Sequence, residues 1–351
     1  MLDRGQLRVM LGFSGIIPFF LRLGPGHIVI YGRTGSGKTN TAKLIASTVA
    51  KRVPVLVLDW AGEYEIEGFD VLEPGDELRL NPLEYISGDF SEHIDFLVDL
   101  FGDTFSFTEP QRYMFRNALK AAFSRVGSPT LSDVLRAMDS MPPRSYYDHE
   151  IKIAIRRRLA QLTEGRVGRA FSDTKVDLAS LFEENVVVNL GVFRSIHSRK
   201  LFILILLKLL YDYAVFYRGR RDGLAHVTII EEAWNVIPYR RLDAGPTIGE
   251  RLFAELRKYG ECIVAVSQSP TETAWSVTKN ARVIVLHAGL SKDAESMGLI
   301  SSGDFELEEF KVGEALVIQE GKKRRVNIRR YGGHSYLSEV LAFLRRARRG
   351  E

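Results

Sequence analysis

The chain has 351 residues, 45% hydrophobic and 26% charged, with a net charge of +4. That composition can fill a sizeable core and excludes disorder as the default state. The single cysteine, Cys262, excludes a disulfide framework and a cysteine-based metal site and fits a reducing compartment.

Short strands or a hairpin are expected before Pro25. The apolar run 9–21 holds Pro18 and falls short of the roughly 20 residues a membrane span needs, so no integral membrane segment is expected. His27–Tyr31 reads as a strand and Lys38–Arg52 as a helix, with Ala42, Ile45 and Val49 on its apolar face. Between them lies GRTGSGKT, Gly32–Thr39. Glycines there let the backbone wrap closely, so that its N–H groups meet phosphate oxygens. Lys38 reaches the β and γ phosphates, the Thr39 hydroxyl coordinates Mg²⁺, and the helix that starts there turns its positive end to the anion. ATP with Mg²⁺ is the expected ligand, lined by Gly32, Thr34, Gly35, Ser36, Gly37, Lys38, Thr39 and Asn40.

Pro54–Asp59 reads as a second buried strand, closed by Trp60-Ala61-Gly62. Two roles fit Asp59, Gly62, Glu63 and Tyr64: carboxylates orienting water or Mg²⁺, or a turn with capping acids. After Phe69–Leu72, amphipathic helices are expected at Ser91–Phe101, Glu109–Arg125, Leu131–Met138 and His149–Leu162. They suggest a helical insert at 81–163 within a core formed by 1–80 and 164–333.

Asn185–Leu190 then reads as a strand and Ser198–Arg218 as a long buried helix, with Lys208 and Asp212 spaced to pair. The strand His226–Ile230 ends in Glu231 and Glu232, and strand C-termini are where an α/β sheet places ligand-contacting groups. Glu231 is assigned to the metal and Glu232 to the base that polarises the attacking water. Thr247–Tyr259 reads as a helix closed by Gly260, and Cys262–Ser267 as a strand leading to Gln268, a candidate γ-phosphate sensor. Arg257 has two readings: favourable charge at a helix C-terminus, or an arginine finger acting on a neighbouring subunit. Arg251 and Lys258 are its rivals. Arg282–His287 is a further strand, and Ala315–Gln319 with Arg325–Arg330 reads as a hairpin around Gly321.

From Lys322 to the end, ten Lys and Arg stand against two acids. That basic hairpin and a basic C-terminal helix or tail at 334–351 fit DNA phosphates, acidic lipid or plain solvation equally. Strands alternating with helices give an α/β fold with a mainly parallel sheet covered on both faces.

GRTGSGKTNT, DWAGEY, IIEEAW, ELRKYG and AVSQSP, in that order, resemble the HerA/FtsK superfamily of ring-shaped DNA-pumping ATPases. The likeness is greatest to HerA-like proteins and to type IV secretion and conjugation ATPases. It implies a RecA-like P-loop NTPase, a homohexamer with ATP at subunit interfaces, and DNA threaded through a central pore. It also implies Glu232 as the catalytic glutamate, Gln268 as sensor and Arg257 acting in trans. Two departures bear on it. HerA proteins have a β-barrel before the motor, for which the residues before His27 are too few, and they carry His where Trp234 stands here. The first puts the nuclease partnership in question and shifts the expectation toward conjugation-like DNA transfer, in a cytoplasmic protein peripheral to a membrane-bound apparatus, or toward a motor domain trimmed from a longer chain. A motor feeding an end-resection nuclease, and a secretion or pilus assembly ATPase that does not grip DNA, are the alternatives. The partner is accordingly a membrane channel or a nuclease.

Overall fold

The computed structural model describes residues 7–240 and 245–332. Strands β1 (Leu7–Ser14) and β2 (Ile17–Leu23) form a hairpin that precedes β3 (Gly26–Tyr31), α1 (Lys38–Val49), β4 (Val55–Asp59) and β5 (Asp70–Leu72). Helices α2 (Phe90–Phe105), α3 (Glu109–Val126), α4 (Leu131–Asp139) and α5 (Tyr146–Ala160) follow, then the short α6 (Gly165–Ala170) and α7 (Leu178–Glu183). Next come β6 (Val186–Asn189), α8 (Ile196–Tyr213), β7 (Arg221–Ile230), α9 (Ile248–Leu256), β8 (Tyr259–Ser267) and α10 (Trp275–Lys279). The described chain closes with β9 (Val283–His287), α11 (Ser291–Ser296), β10 (Glu314–Gln319) and β11 (Lys322–Ile328).

All eleven strands join one sheet in the order β2-β1-β11-β10-β9-β3-β8-β7-β4-β6-β5. From β9 to β5 every pairing is parallel, and β10, β11, β1 and β2 extend the sheet antiparallel beyond β9. The parallel strands are apolar on both faces. In β4, Leu56 and Leu58 enter one hydrophobic cluster while Val55 and Val57 enter the other, and β3 divides in the same way. This is period-two alternation between two covered faces. One face is covered by α1, and the opposite cluster takes in α2 to α5, α8 and α9.

Helix α8 is buried on nearly every side, and Lys208 inside it is 6% exposed. Its ammonium is matched by Asp212 at 2.6 Å and by the Glu84 carbonyl at 2.6 Å, as a charge taken out of water requires. The ends of α2 to α5 explain why those segments are helical. Asp89 accepts from Glu92 N, Gln111 from Thr108 N, Asp133 from Thr130 N and Ser145 from Asp148 N. Each closes an N-terminal turn whose N–H groups lack an intrahelical partner.

The fold departs from the sequence reading in places. Helix α9 stops at Leu256, so Arg257 is its C-cap, and Gly260 lies inside β8 and not at a helix end. Gly260 has φ 79°, and a Cβ there would lie 2.7 Å from the Gly223 carbonyl oxygen, so close strand approach explains the glycine. Strand β11 begins at Lys322, three residues before the expected start, and its partner register runs Gln319↔Lys322 to Glu314↔Asn327. The expected basic helix or tail at 334–351 lies outside the described residues. No helix among the described residues is long and apolar enough to cross a membrane.

Candidate functional site

Strands β3, β4, β7 and β8 run in one direction, so Tyr31, Asp59, Ile230 and Ser267 end at the same edge of the sheet. At that edge the segment Gly32–Gly37 forms a tight loop. Gly35 (φ 79°) and Gly37 (φ 110°) take left-handed conformations that side chains disfavour. A Cβ on Gly32 would lie 2.4 Å from the Ser36 hydroxyl and 2.6 Å from His287 Cβ. Gly37 caps α1 without a side-chain hydrogen bond, and no acid sits in the first turn. The Ser36 hydroxyl is buried without a hydrogen-bond partner. A loop of this kind, with uncapped helix N–H groups, suits a phosphate group.

Lys38 Nζ donates to the Gly32 carbonyl at 2.7 Å and the Arg33 carbonyl at 3.1 Å. Burial lowers its pKa, while Glu232 and Glu231 oppose that shift. Thr39 Oγ1 donates to Glu231 Oε1 at 3.1 Å. Burial, and then the nearby Asp59 carboxylate, push Glu231 up to about 7. No group of three or more His, Cys, Asp or Glu able to hold a metal occurs among the described residues. The Thr39 hydroxyl and the Glu231 carboxylate, 3.1 Å apart, suit Mg²⁺, which commonly keeps waters and takes its remaining ligands from substrate phosphates.

Glu232 is one of few non-glycine residues with positive φ (48°). Its carbonyl accepts from Asn235 N and Asn235 Nδ2, both at 3.0 Å, which fixes the turn after β7. Its carboxylate accepts from Trp234 Nε1 at 2.6 Å and from Gln268 Nε2 at 3.5 Å. The Gln268 carbonyl accepts from Gly32 N at 3.2 Å. Lys38, Thr39, Glu231, Glu232 and Gln268 thus come together at one edge.

Other expected residues go elsewhere. The Asn40 side chain donates to the Arg329 carbonyl at 2.9 Å and accepts from Tyr331 N at 2.7 Å, leaving only its backbone for a ligand. Thr34 is exposed at the loop's crest. Asp59 accepts from the backbone N–H groups of Ala61, Gly62 and Tyr64, so of its two readings the geometry gives the turn. Arg257 sits at the opposite edge, before β8, and nine strand residues separate it from Gln268; at 3.3 Å per residue that is roughly 30 Å. It lines a cleft of about 640 Å³ with Arg220, Arg221, Asp222, Lys258 and Arg282. Its rivals are paired, Arg251 with Asp99 and Lys258 with Glu255, whereas Arg257 forms no ion pair among the described residues. Lys323 and Arg325 in the basic hairpin pair with Asp304 and Glu314, and Arg325 covers the Phe310 ring.

Two site residues escaped the sequence reading. His287, at the end of β9, bonds Thr41 Oγ1 at 3.0 Å beneath the loop, and burial and then Lys38 lower it to about 4. Trp234, two residues after Glu232, is half-buried, and the turn brings its indole N–H onto the Glu232 carboxylate, a contact that no sequence spacing signals.

The family model described as the central domain of helicase HerA matches residues 22–210. Among solved structures, VirB4 of Thermoanaerobacter pseudethanolicus is 16% identical, covering 94% of this chain and 98% of that one at a TM-score of 0.72. The unbound bacterial conjugative coupling protein TrwBdeltaN70 is 13% identical, covering 93% and 96% at 0.65. The plasmid coupling protein TrwB in complex with ADP and Mg²⁺ is also 13% identical, covering 88% and 85% at 0.62. These likenesses show the fold, a RecA-like α/β core. No curated protein matches the chain.

Proposed function

This chain belongs to the HerA helicase central-domain family, and from that premise we propose that it is an ATP-hydrolysing motor that moves DNA as a ring of identical subunits. One observation carries the reading: Lys38, Thr39, Glu231, Glu232 and Gln268 converge at the C-terminal edge of a parallel sheet around a glycine-cradled helix N-terminus. Lys38 and the loop N–H groups hold the phosphates. Thr39 and Glu231 hold Mg²⁺, which when bound offsets phosphate charge. Glu232 accepts a proton from water as that water attacks the γ-phosphorus and the bond to the β–γ bridging oxygen breaks, releasing ADP and phosphate, and Gln268 hydrogen-bonds the same region.

TrwB was solved with ADP and Mg²⁺, which supports the same ligand pair here. Arg257 caps the C-terminus of α9 and stands roughly 30 Å from its own chain's Gln268, so if it acts on a nucleotide, that nucleotide belongs to a neighbouring subunit of the proposed ring. A hexamer is the proposed closure, and conjugation-like DNA transfer is favoured by the fold shared with VirB4 and TrwB.

The test is ATPase rate with and without DNA, alongside particle mass with an ATP analogue. Several-fold stimulation by DNA and a mass of six chains are expected. Turnover indifferent to DNA, single- or double-stranded, would overturn the DNA-motor reading.

A further inference from the structure

Trp234 lies in the single turn after β7, half-buried, with both its donors committed. Its indole N–H reaches Glu232 Oε2 at 2.6 Å, and its backbone N–H reaches Ser267 Oγ at 3.2 Å. Ser267 is the last residue of β8 and precedes Gln268, whose amide faces the other carboxylate oxygen, Glu232 Oε1. The carboxylate is therefore held from two sides by groups anchored on the same neighbouring strand.

We propose that Trp234 is a positioning residue for hydrolysis, holding Glu232 by Oε2 at 2.6 Å and leaving Oε1, which Gln268 Nε2 approaches only to 3.5 Å, to take the attacking water. This rests on Glu232 being the base. The chemistry suits the task. A glutamate carboxylate hangs on three rotatable bonds, and a fixed donor restricts them before substrate arrives. An indole N–H donates but neither accepts nor changes charge near neutral pH, so it orients the carboxylate without competing for the proton. A donor to an ionised carboxylate is also among the stronger hydrogen bonds. The geometry further ties the base to the end of β8, so a shift of that strand tip would move Glu232 and Gln268 together.

The experiment uses the full chain and four variants: two at Trp234, Glu232→Gln, and the double variant Glu232→Gln/Trp234→Phe. Trp234→Phe keeps the ring and removes the N–H, and Trp234→His returns a donor. With ATP, Trp234→Phe is expected to lower kcat by about 10- to 100-fold with KM nearly unchanged, the signature of a contact that matters in the transition state. Binding of a non-hydrolysable analogue and the melting temperature should stay near wild type, and Trp234→His should recover part of the rate. In a Glu232→Gln background, Trp234→Phe should cost nothing further, because its effect runs through the carboxylate. The proposal fails if Glu232→Gln abolishes turnover while Trp234→Phe keeps wild-type kcat. It fails equally if Trp234→Phe lowers the residual rate of Glu232→Gln by its full factor. Normal turnover in Glu232→Gln would instead refute Glu232 as base.

Discussion

At the C-terminal ends of the parallel strands, groups from α1 and from the chain just after β3, β7 and β8 are hydrogen-bonded within one chain. Thr39 bonds Glu231, Gln268 bonds Glu232, and Lys38 bonds its own loop. At the N-terminal ends, Arg257 shares a cleft with Arg220, Arg221, Lys258 and Arg282, and Asp222 is the acid among its lining residues. The first edge is assembled within one chain. The second concentrates positive charge whose mutual repulsion a phosphate group would relieve. In the head-to-tail ring proposed above, the two edges would face each other across a heterologous interface and together make one site.

The largest effect that would break this comparison is at Arg257. Arg257→Ala should lower kcat by about 10³-fold while leaving binding of a non-hydrolysable ATP analogue at low protein concentration intact, as read by steady-state ATPase and titration. An equal loss from Arg251→Ala, whose partner is Asp99, would move the finger to that side chain.

A smaller effect concerns what keeps the basic edge rigid. Beneath it, Glu261 is fully buried and bonds His226 Nδ1 at 2.8 Å, Thr228 Oγ1 at 2.7 Å and Arg218 at 3.2 Å. Burial opposes ionisation, but His226 and Arg218 outweigh it and hold the Glu261 carboxyl below its usual range. Its folded value is therefore lower than its unfolded one. The stability it contributes is present above the unfolded carboxylate value, about 4.3, and is lost as pH falls through the folded value. Glu261→Gln should cost about 3–5 kcal/mol near neutral pH, measured by urea unfolding. The variant should also lose less stability than wild type between neutral pH and pH 3.

The smallest effect belongs to the nucleotide edge. Asn40→Ala removes both bonds that tie α1 to Arg329 and Tyr331, and should lower stability by about 1–2 kcal/mol in the same unfolding measurement. No loss would mean that this tie is not made in solution.

Much of this was legible in the sequence because the groups are bounded by strong local signals. GRTGSGKT lies between an apolar strand and a helix, and Glu231–Glu232 and Gln268 each end an apolar strand. Lys208 and Asp212 were readable from helical spacing alone and do pair. What stayed hidden depends on strand order. His287 lies under the loop because β9 is the neighbour of β3, and Asn40 meets Arg329 because the antiparallel strands fold back along that edge. Gly260 looked like a helix stop because a glycine after a helical run usually is one, while its actual reason is a neighbouring backbone in β7. The basic run after Gly321 suggested phosphate contacts, but Glu314, at the start of the hairpin partner β10, and Asp304, in the loop before it, pair with Arg325 and Lys323.

Subunit mixing tests the central claim most directly. Glu232→Gln and Arg257→Ala chains, each far below the wild-type rate alone, are combined in equal amounts, with co-assembly read from two distinguishable tags by native mass spectrometry. If one chain supplies Glu232 and its neighbour Arg257, random mixing restores about a quarter of the wild-type rate for sites that act independently in a ring. Mixed rings that remain as inactive as either parent would contradict the account.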